Sequence, residues 1–365
     1  VTEPNERTEE PTTDICLNKI PDATGLHVLV TGATGLLGSH LAERWTQAGA
    51  HVRVILRRHD PTPFLDSLGV EKVHGNLRDP IACRFACEGI DIVCHSAAKV
   101  GDWGAWHEFQ EDTVETTRQI SDAARHAGVR RFLQISSTSA YGHPDDSQAP
   151  IREDHPLGTN IWRQDPYTLA KVECERLLWR MSKAGFPLTI VRPSWLYGQR
   201  DRITLKRLVT RMRAGKFRLI GPGDNRLQAI DAAEVARAAI FAALSPAALG
   251  QAYNVTDLGP ITQKQFFDLL AGSFGLPPVS KRTHYPTVFF GASLLERWGR
   301  MMHPAQPPLI TRYAAWLMGR RLWYDNSKIR DEICWNPTIS YEASLNRAAL
   351  WYQAQEAGNE PETTV

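Results

Sequence analysis

Two segments place a tyrosine four residues ahead of a lysine: YTLAK, from Tyr167 to Lys171, and YDNSK, from Tyr324 to Lys328. That pair has a recognisable chemistry. Hydride addition to a carbonyl leaves an alkoxide that needs a proton, and a phenol of pKa ~10 is a weak acid–base group at neutral pH unless a nearby cation favours its ionised form. Nine tyrosines make accidental matches expected, so the surroundings must decide between the two.

YTLAK follows Asp165, suited to a helix N-cap, and Pro166, suited to a first turn, and it runs into the amphipathic VECERLLWRMSKAG. Tyr167 and Lys171 therefore share one helix face. YDNSK follows RRLW, which reads as a short strand, and its Asp325, Asn326 and Ser327 are residue types that start a helix such as KIRDEIC. Tyr324 and Lys328 then fall on different elements and have a structural role. Ahead of YTLAK, ISSTSAYG closes an apolar strand with Ser137, four residues before Tyr141, a candidate donor to a substrate oxygen. The alternative for Ser137 is a hydroxyl satisfying local backbone, and Ser136, Thr138 and Ser139 are close enough to be mistaken for it.

The elements that must position these groups begin at HVLV, a buried strand, followed by a helix over 36 to 48 with Leu37, Leu41, Trp45 and Ala48 on one face. Gly32, Gly35 and Gly38 lie between them. In such a G-x-x-G-x-x-G turn the backbone, here from Gly32 through Thr34, Leu36 and Leu37, can approach a pyrophosphate at the helix amino terminus. A second strand, HVRVIL, completes the βαβ unit that a dinucleotide fingerprint requires. Arg57 and Arg58 come next, and Asp60 only later, so no carboxylate competes at the strand end. This favours NADP over NAD, NAD remaining open; the alternative for each arginine is a solvated surface charge. VEKVHGNL, DIVCHSAA and RRFLQISS continue the alternation, giving an α/β doubly wound parallel sheet whose strand ends hold Asn76, Leu77, Ala97, Ala98, Lys99, Ser136 and Ser137.

With these motifs in order, the chain resembles the extended short-chain dehydrogenase/reductase family: TGATGLLG, HSAA, ISSTSAYG, YTLAK, VRPSWLYG, YNVTD and QPPLITRY span roughly residues 26 to 352. Within it the sequence is most similar to the 3β-hydroxysteroid dehydrogenase-like branch, which includes sterol 4-carboxylate 3-dehydrogenases and bacterial reductases of long-chain 2-alkyl-3-oxo acids. The resemblance implies a Rossmann-type domain with a smaller C-terminal substrate-binding lobe. It also implies a Lys171 bond to the nicotinamide ribose, Pro193 and Ser194 beside the nicotinamide, and a homodimer through helices including 109 to 126 and 166 to 184. Three positions depart from the pattern. The acid that sterol 4-carboxylate dehydrogenases carry near Leu56 is absent, which favours NADPH; Asp112 stands for a usual asparagine and Asn76 for a usual aspartate.

Composition narrows the remaining choices. The 365 residues carry 42% hydrophobic and 22% charged residues and a formal net charge of +2, a soluble globular profile with no excess suited to nucleic acid. Six scattered cysteines, with no C-x-x-C pair and no secretory signal ahead of them, fit reduced thiols, no metal site and a cytoplasmic setting. The expected organisation is a flexible tail over 1–24, a dinucleotide-binding domain over 25–200, and a substrate lobe over most of 201–352. Residues 229–257 return to the main sheet and 353–365 form a second tail. Trp103 and Trp106, in a loop after HSAAKV, suit an apolar small-molecule substrate; packing against the sheet is the alternative. TVFFGASLL is too short for the ~20 residues of a membrane span, and its neighbourhood leaves core, pocket wall or peripheral membrane contact open. Arg202, Lys206, Arg207, Arg211 and Arg213 keep a nucleotide-sugar epimerase or dehydratase in play. A non-catalytic dinucleotide sensor would leave Ser137, Tyr167 and Lys171 without purpose.

Overall fold

Seven parallel strands form the centre of the molecule: β1 (His27–Thr31), β2 (His51–Leu56), β3 (Glu71–His74), β4 (Ile92–His95), β5 (Arg131–Ile135), β6 (Leu188–Pro193) and β7 (Gln251–Val255). The computed structural model describes residues 19–57, 60, 62–146, 149–257, 259–303 and 305–357. Arg58 lies outside them.

The sheet order is β7-β6-β5-β4-β1-β2-β3. Strand order reverses between β1 and β4, and the register pairs Thr31 with both Ile55 and His95, so the carboxyl ends open together at this crevice. The strands are apolar on both sides, as burial from two faces demands: VLV of β1 and FL of β5 are fully enclosed.

Helix α1 (Leu36–Gln47) starts straight from the glycine turn and packs Leu37, Leu41 and Trp45 on one face of the sheet, together with helix Ala232–Leu244. On the other face, helix α2 (Thr116–Ala127) and helix α3 (Pro166–Lys183) bury Ile120, Ala124 and Leu178 with Cys83 and Cys87. Burial pushes the thiols of Cys83, Cys87 and Cys94 up to about 12, so they act as core residues.

A second core, containing Tyr197, Leu205, Phe266, Phe267 and Leu345, lies in the later half of the chain. Short two-stranded pairings knit it: Trp195–Tyr197 with Ala229–Asp231, Arg226–Leu227 with Ile261–Thr262, and Leu219–Ile220 with Arg282–Thr283. Three boundaries drawn from the sequence move. Helix Tyr341–Ala357 runs five residues past 352 because Leu345 and Ala348 dock in this core. Ala23, within the expected tail, is buried and donates its N–H to Ala48 O. Residues 329 to 335 leave the lobe altogether, with Ile329, Ile333 and Trp335 in the core of the main sheet and Tyr253 of β7 donating to Glu332.

The strand expected at RRLW is only an isolated bridge between Tyr324 and Ile151. A small cluster of Tyr141, Ile151, Trp316, Leu322 and Tyr324 joins the two halves at that point.

Candidate active site

Asp165 begins the site. It caps α3 by accepting from the Thr168 N–H at 3.0 Å and from the Thr168 hydroxyl at 2.6 Å, with Pro166 in the first turn. His143 Nε2 bonds the same carboxylate at 2.9 Å, and its ring stacks on Trp162 with centroids 3.8 Å apart. The start of α3 is thus held from both sides. Half-buried Tyr167 follows, and one turn on, buried Lys171 donates to the Ile135 carbonyl at 3.2 Å, its Nζ 5.8 Å from the centre of the Tyr167 ring.

Ile135 ends β5, so the lysine ties α3 to the strand that leads into Ser137. Ser137 is extended (φ −163°, ψ 154°) and caps the short turn Thr138–Tyr141, its Oγ accepting from Ser139 N at 3.1 Å. That bond uses a lone pair and leaves the hydroxyl proton available to donate. Ser136 differs. Its hydroxyl donates to Glu175 Oε1 at 2.5 Å, inside a buried network in which Glu175 pairs with Arg192 at 2.7 Å and Arg192 donates to the Tyr141 hydroxyl at 2.9 Å. Burial opposes the charge on Arg192, yet Glu175 holds its pKa above the ordinary value.

His95, at the end of β4, bonds Thr31 Oγ1 at 2.7 Å and Thr117 Oγ1 at 3.1 Å. Burial first, and the positive charge of Lys171 second, push its pKa down to about 3, so the imidazole is neutral and the ammonium is its charged neighbour.

YDNSK meets none of these groups in the same way. Tyr324 stacks on Tyr141 at 5.9 Å, whereas Lys328, in helix Ser327–Ile333, donates to Gln251 Oε1 at 2.8 Å and to Ala252 O on β7. The two residues serve different elements.

At the glycine turn, Gly32 has φ +71°, and a Cβ there would come within 2.9 Å of the Ala97 backbone; one at Gly38 would overlap the Gly32 carbonyl. No side chain caps α1 at Gly35, which leaves the helix end able to serve a phosphate through its backbone. Thr34 and Leu36 are half-buried beside it, whereas the Leu37 side chain belongs to the core and only its backbone faces this role. Ala97 N donates to Thr31 Oγ1 and Lys99 N to Thr113 Oγ1, the latter within a π-helical turn over Gln110–Glu115. Pro193 ends β6, and Ser194 next to it is buried with an Oγ that has no hydrogen-bond partner among the described residues. The cradle, the open helix end and this orphaned hydroxyl fit a dinucleotide.

Asp60 changes the reading of the β2 end. The turn after Leu56 brings its carboxylate back to accept from Arg57 N at 3.0 Å and to pair with the Arg57 guanidinium at 3.0 Å. A carboxylate therefore does stand at this strand end, contrary to the expectation. Asn76 is exposed and accepts from Arg78 N, and Leu77 is half-buried behind it. Arg78 in turn pairs with Asp112 at 2.5 Å and Glu111 at 2.7 Å, which offsets the charge that replaces the usual asparagine.

Trp103 lies beneath the Arg300 guanidinium at 4.6 Å and against Gly299, while Trp106 is 40% exposed at the start of a short helix. Neither packs as a sheet residue. A further aromatic group surrounds His143, the partner of the Asp165 that caps α3: Trp162, Trp316 and Tyr313, with Phe289 of the TVFFGASLL stretch against Trp162 at 5.7 Å. These contacts join residues more than a hundred positions apart, and no local pattern announces them.

Residues 28–256 match the NAD dependent epimerase/dehydratase family. The chain belongs to that family. Within it, the chain is an extended short-chain dehydrogenase/reductase of the 3β-hydroxysteroid dehydrogenase-like branch, an enzyme of NAD(P)-linked chemistry at CH–OH and keto groups. It is 30% identical over 328 residues to the 2-alkyl-3-oxoalkanoate reductase of Stenotrophomonas maltophilia (strain K279a), covering 88% of this chain and 98% of the relative. The 3beta-hydroxysteroid-dehydrogenase/decarboxylase isoform 1 of Arabidopsis thaliana is 26% identical, with 92% and 82% covered. Among solved structures, the UDP-glucuronic acid 4-epimerase of Bacillus cereus in complex with NAD superposes with a TM-score of 0.70 at 21% identity, over 90% of this chain and 99% of that one, a likeness of fold.

Proposed function

We propose that this extended short-chain dehydrogenase/reductase is a ketoreductase or alcohol dehydrogenase of a bulky apolar substrate, a long-chain 2-alkyl-3-oxo acid or a steroid-like ketone. The observation that carries the reading is the Lys171 ammonium held between the Ile135 carbonyl and the Tyr167 ring while the Ser137 proton stays free. A nicotinamide dinucleotide supplies or removes the hydride when bound. The chain supplies the rest: Ser137 donates a hydrogen bond to the substrate oxygen, Tyr167 gives that oxygen its proton, and Lys171 stabilises the phenolate left behind. Gly32, Thr34, Gly35 and the backbone of Leu36, Leu37 and Gly38 would hold the pyrophosphate, with Ala97, Ala98, Lys99, Pro193 and Ser194 along the nicotinamide half.

An apolar substrate is supported by the names of the reductase and dehydrogenase relatives, and the half-buried Trp162, packed over the aromatic cluster that contains Trp316, would offer it an apolar wall. NADP is favoured by Arg57, exposed at the ribose end of β2; Asp60 restrains that arginine, so the preference is moderate and NAD binds as well. The test is NADPH and NADH oxidation against long-chain 2-alkyl-3-oxo acids, steroid ketones and nucleotide sugars. Net NADPH consumption with the first or second class supports the reading. Conversion of a nucleotide sugar with no net NADPH consumption replaces it with epimerisation.

A further inference from the structure

Arg312 opens helix Arg312–Gly319 and lays its guanidinium over Trp162, 4.0 Å from the ring centre. The side chain is half-buried, its Nε is closed off from solvent, and among the described residues it makes no hydrogen bond and no ion pair. Its neighbours differ. Arg300 donates to Gln164 O at 2.6 Å, Arg207 donates to Leu309 O at 2.7 Å, and Arg320 stands 3.6 Å from Asp146. A guanidinium held over an aromatic ring keeps its N–H groups at the edge of the stack, where one carboxylate can accept two of them.

Three carboxyl groups lie near Arg312, and each is bonded elsewhere. Asp165 accepts from His143 and Thr168, Glu296 accepts from the Arg312 backbone N–H at 2.6 Å, and Asp102 accepts from the Thr311 hydroxyl. Burial lowers the pKa of Arg312 although Glu296 and Asp165 oppose it, so the cation is left short of negative charge. The next residue adds a donor. Tyr313 sets its ring edge-on to His143, with centroids 6.0 Å apart, and its hydroxyl has no hydrogen-bond partner among the described residues. Burial first, then the charges of Asp165 and Tyr167, raise the Tyr313 pKa, so the phenol keeps its proton and lies within electrostatic reach of Tyr167.

We infer that Arg312, assisted by the Tyr313 hydroxyl, recognises a carboxylate on the substrate and so selects a 3-oxo acid over a neutral ketone. The inference rests on the ketoreductase reading and narrows it. Of the two substrate classes named there, the 2-alkyl-3-oxo acid carries its carboxylate one carbon from the ketone, whereas a steroid-like ketone need carry none. The alkyl chains then have the apolar wall at Trp162, and the carboxylate has the cation that lies on it. A purely structural guanidinium, screening Asp165 and Glu296, would give no preference for a charged substrate.

The test is steady-state NADPH oxidation by the full chain with a long-chain 2-alkyl-3-oxo acid, its methyl ester and the ketone that lacks the carboxyl group. The wild type should favour the acid over the ester by about 10²-fold in kcat/KM, the order of a charge-assisted pair. Arg312→Met should bring that ratio to near unity, chiefly through KM for the acid, and Arg312→Lys should recover part of it, as a point charge without the fork. Tyr313→Phe should lower the ratio about fivefold. The NADPH-induced thermal shift of each variant reports that it folds. A wild-type ratio near unity, or a ratio that Arg312→Met leaves unchanged because both substrates suffer alike, overturns the inference while the ketoreductase reading stands. NADPH consumption with none of the three substrates removes that reading and this inference with it.

Discussion

In the Tyr167–Lys171 segment the lysine turns back toward its own tyrosine, 5.8 Å from the ring, and anchors on the strand that ends in Ser137. In Tyr324–Lys328 the tyrosine stacks on Tyr141 while the lysine reaches away to Gln251 and Ala252. The letters and spacing match. What differs is the continuity of helix: Asp165 starts α3 before Tyr167, so one helix carries both residues, whereas helix Ser327–Ile333 starts only after Tyr324. A spacing motif acquires chemistry only when a single element spans it.

The comparison breaks first at the lysines. Lys171→Met should reduce kcat by about 10²–10⁴-fold, the range of a lost acid–base partner. Lys328→Met should leave kcat within about twofold and cost about 1 kcal/mol of stability, since its bonds are structural. Steady-state rates and denaturant melts of the two variants side by side would show it; equal rate losses would mean that the two segments do not differ in role.

A smaller effect lies at the β2 end. Asp60→Ala releases Arg57 and should shift the NADP/NAD ratio of kcat/KM toward NADP by about tenfold, the order of one charge-assisted bond. A shift toward NAD would mean that Arg57 does not serve a 2′-phosphate.

The smallest effect concerns acid stability, away from both segments. Burial alone would raise the Glu43 carboxyl, but bonds from His40 and Arg200 hold it down from 4.5 to about 2. A depressed carboxylate gives stability that is full above its unfolded value and fades as pH falls toward its folded one. Glu43→Gln should therefore cost about 1 kcal/mol at neutral pH, and the gap from wild type should close between about pH 4.5 and about pH 2 in urea melts.

How far the sequence reveals this molecule follows the range of each interaction. The glycine turn, the strands at 51 to 56 and 131 to 135 and the cap at Asp165 are readable because they depend on neighbours one to four residues away. Ser137 is readable by its place at a strand end, but its separation from Ser136 is not. That depends on Glu175 and Arg192, brought in from another helix and strand. His143 at Asp165 likewise depends on how loops fold back, as does the return of Ile329 and Trp335 to the main core; Asp60 is only three residues from Arg57, and there the direction of the turn after Leu56, rather than range, decides the contact. The aromatic surroundings of Trp162 combine residues from 143 to 316, and the outward apolar arc of helix Tyr285–Met302 shows only once its inner face is known.

The measurement that tests the central claim most directly is single-turnover reduction of a long-chain 2-alkyl-3-oxo acid by NADPH, with Tyr167→Phe and Tyr324→Phe compared under one set of conditions. Tyr167→Phe should lose the chemical step by about 10²–10⁴-fold while keeping its NADPH-induced thermal shift, and Tyr324→Phe should reduce at close to the wild-type rate. A Tyr167→Phe enzyme that still reduces the ketone at the wild-type rate would contradict the account.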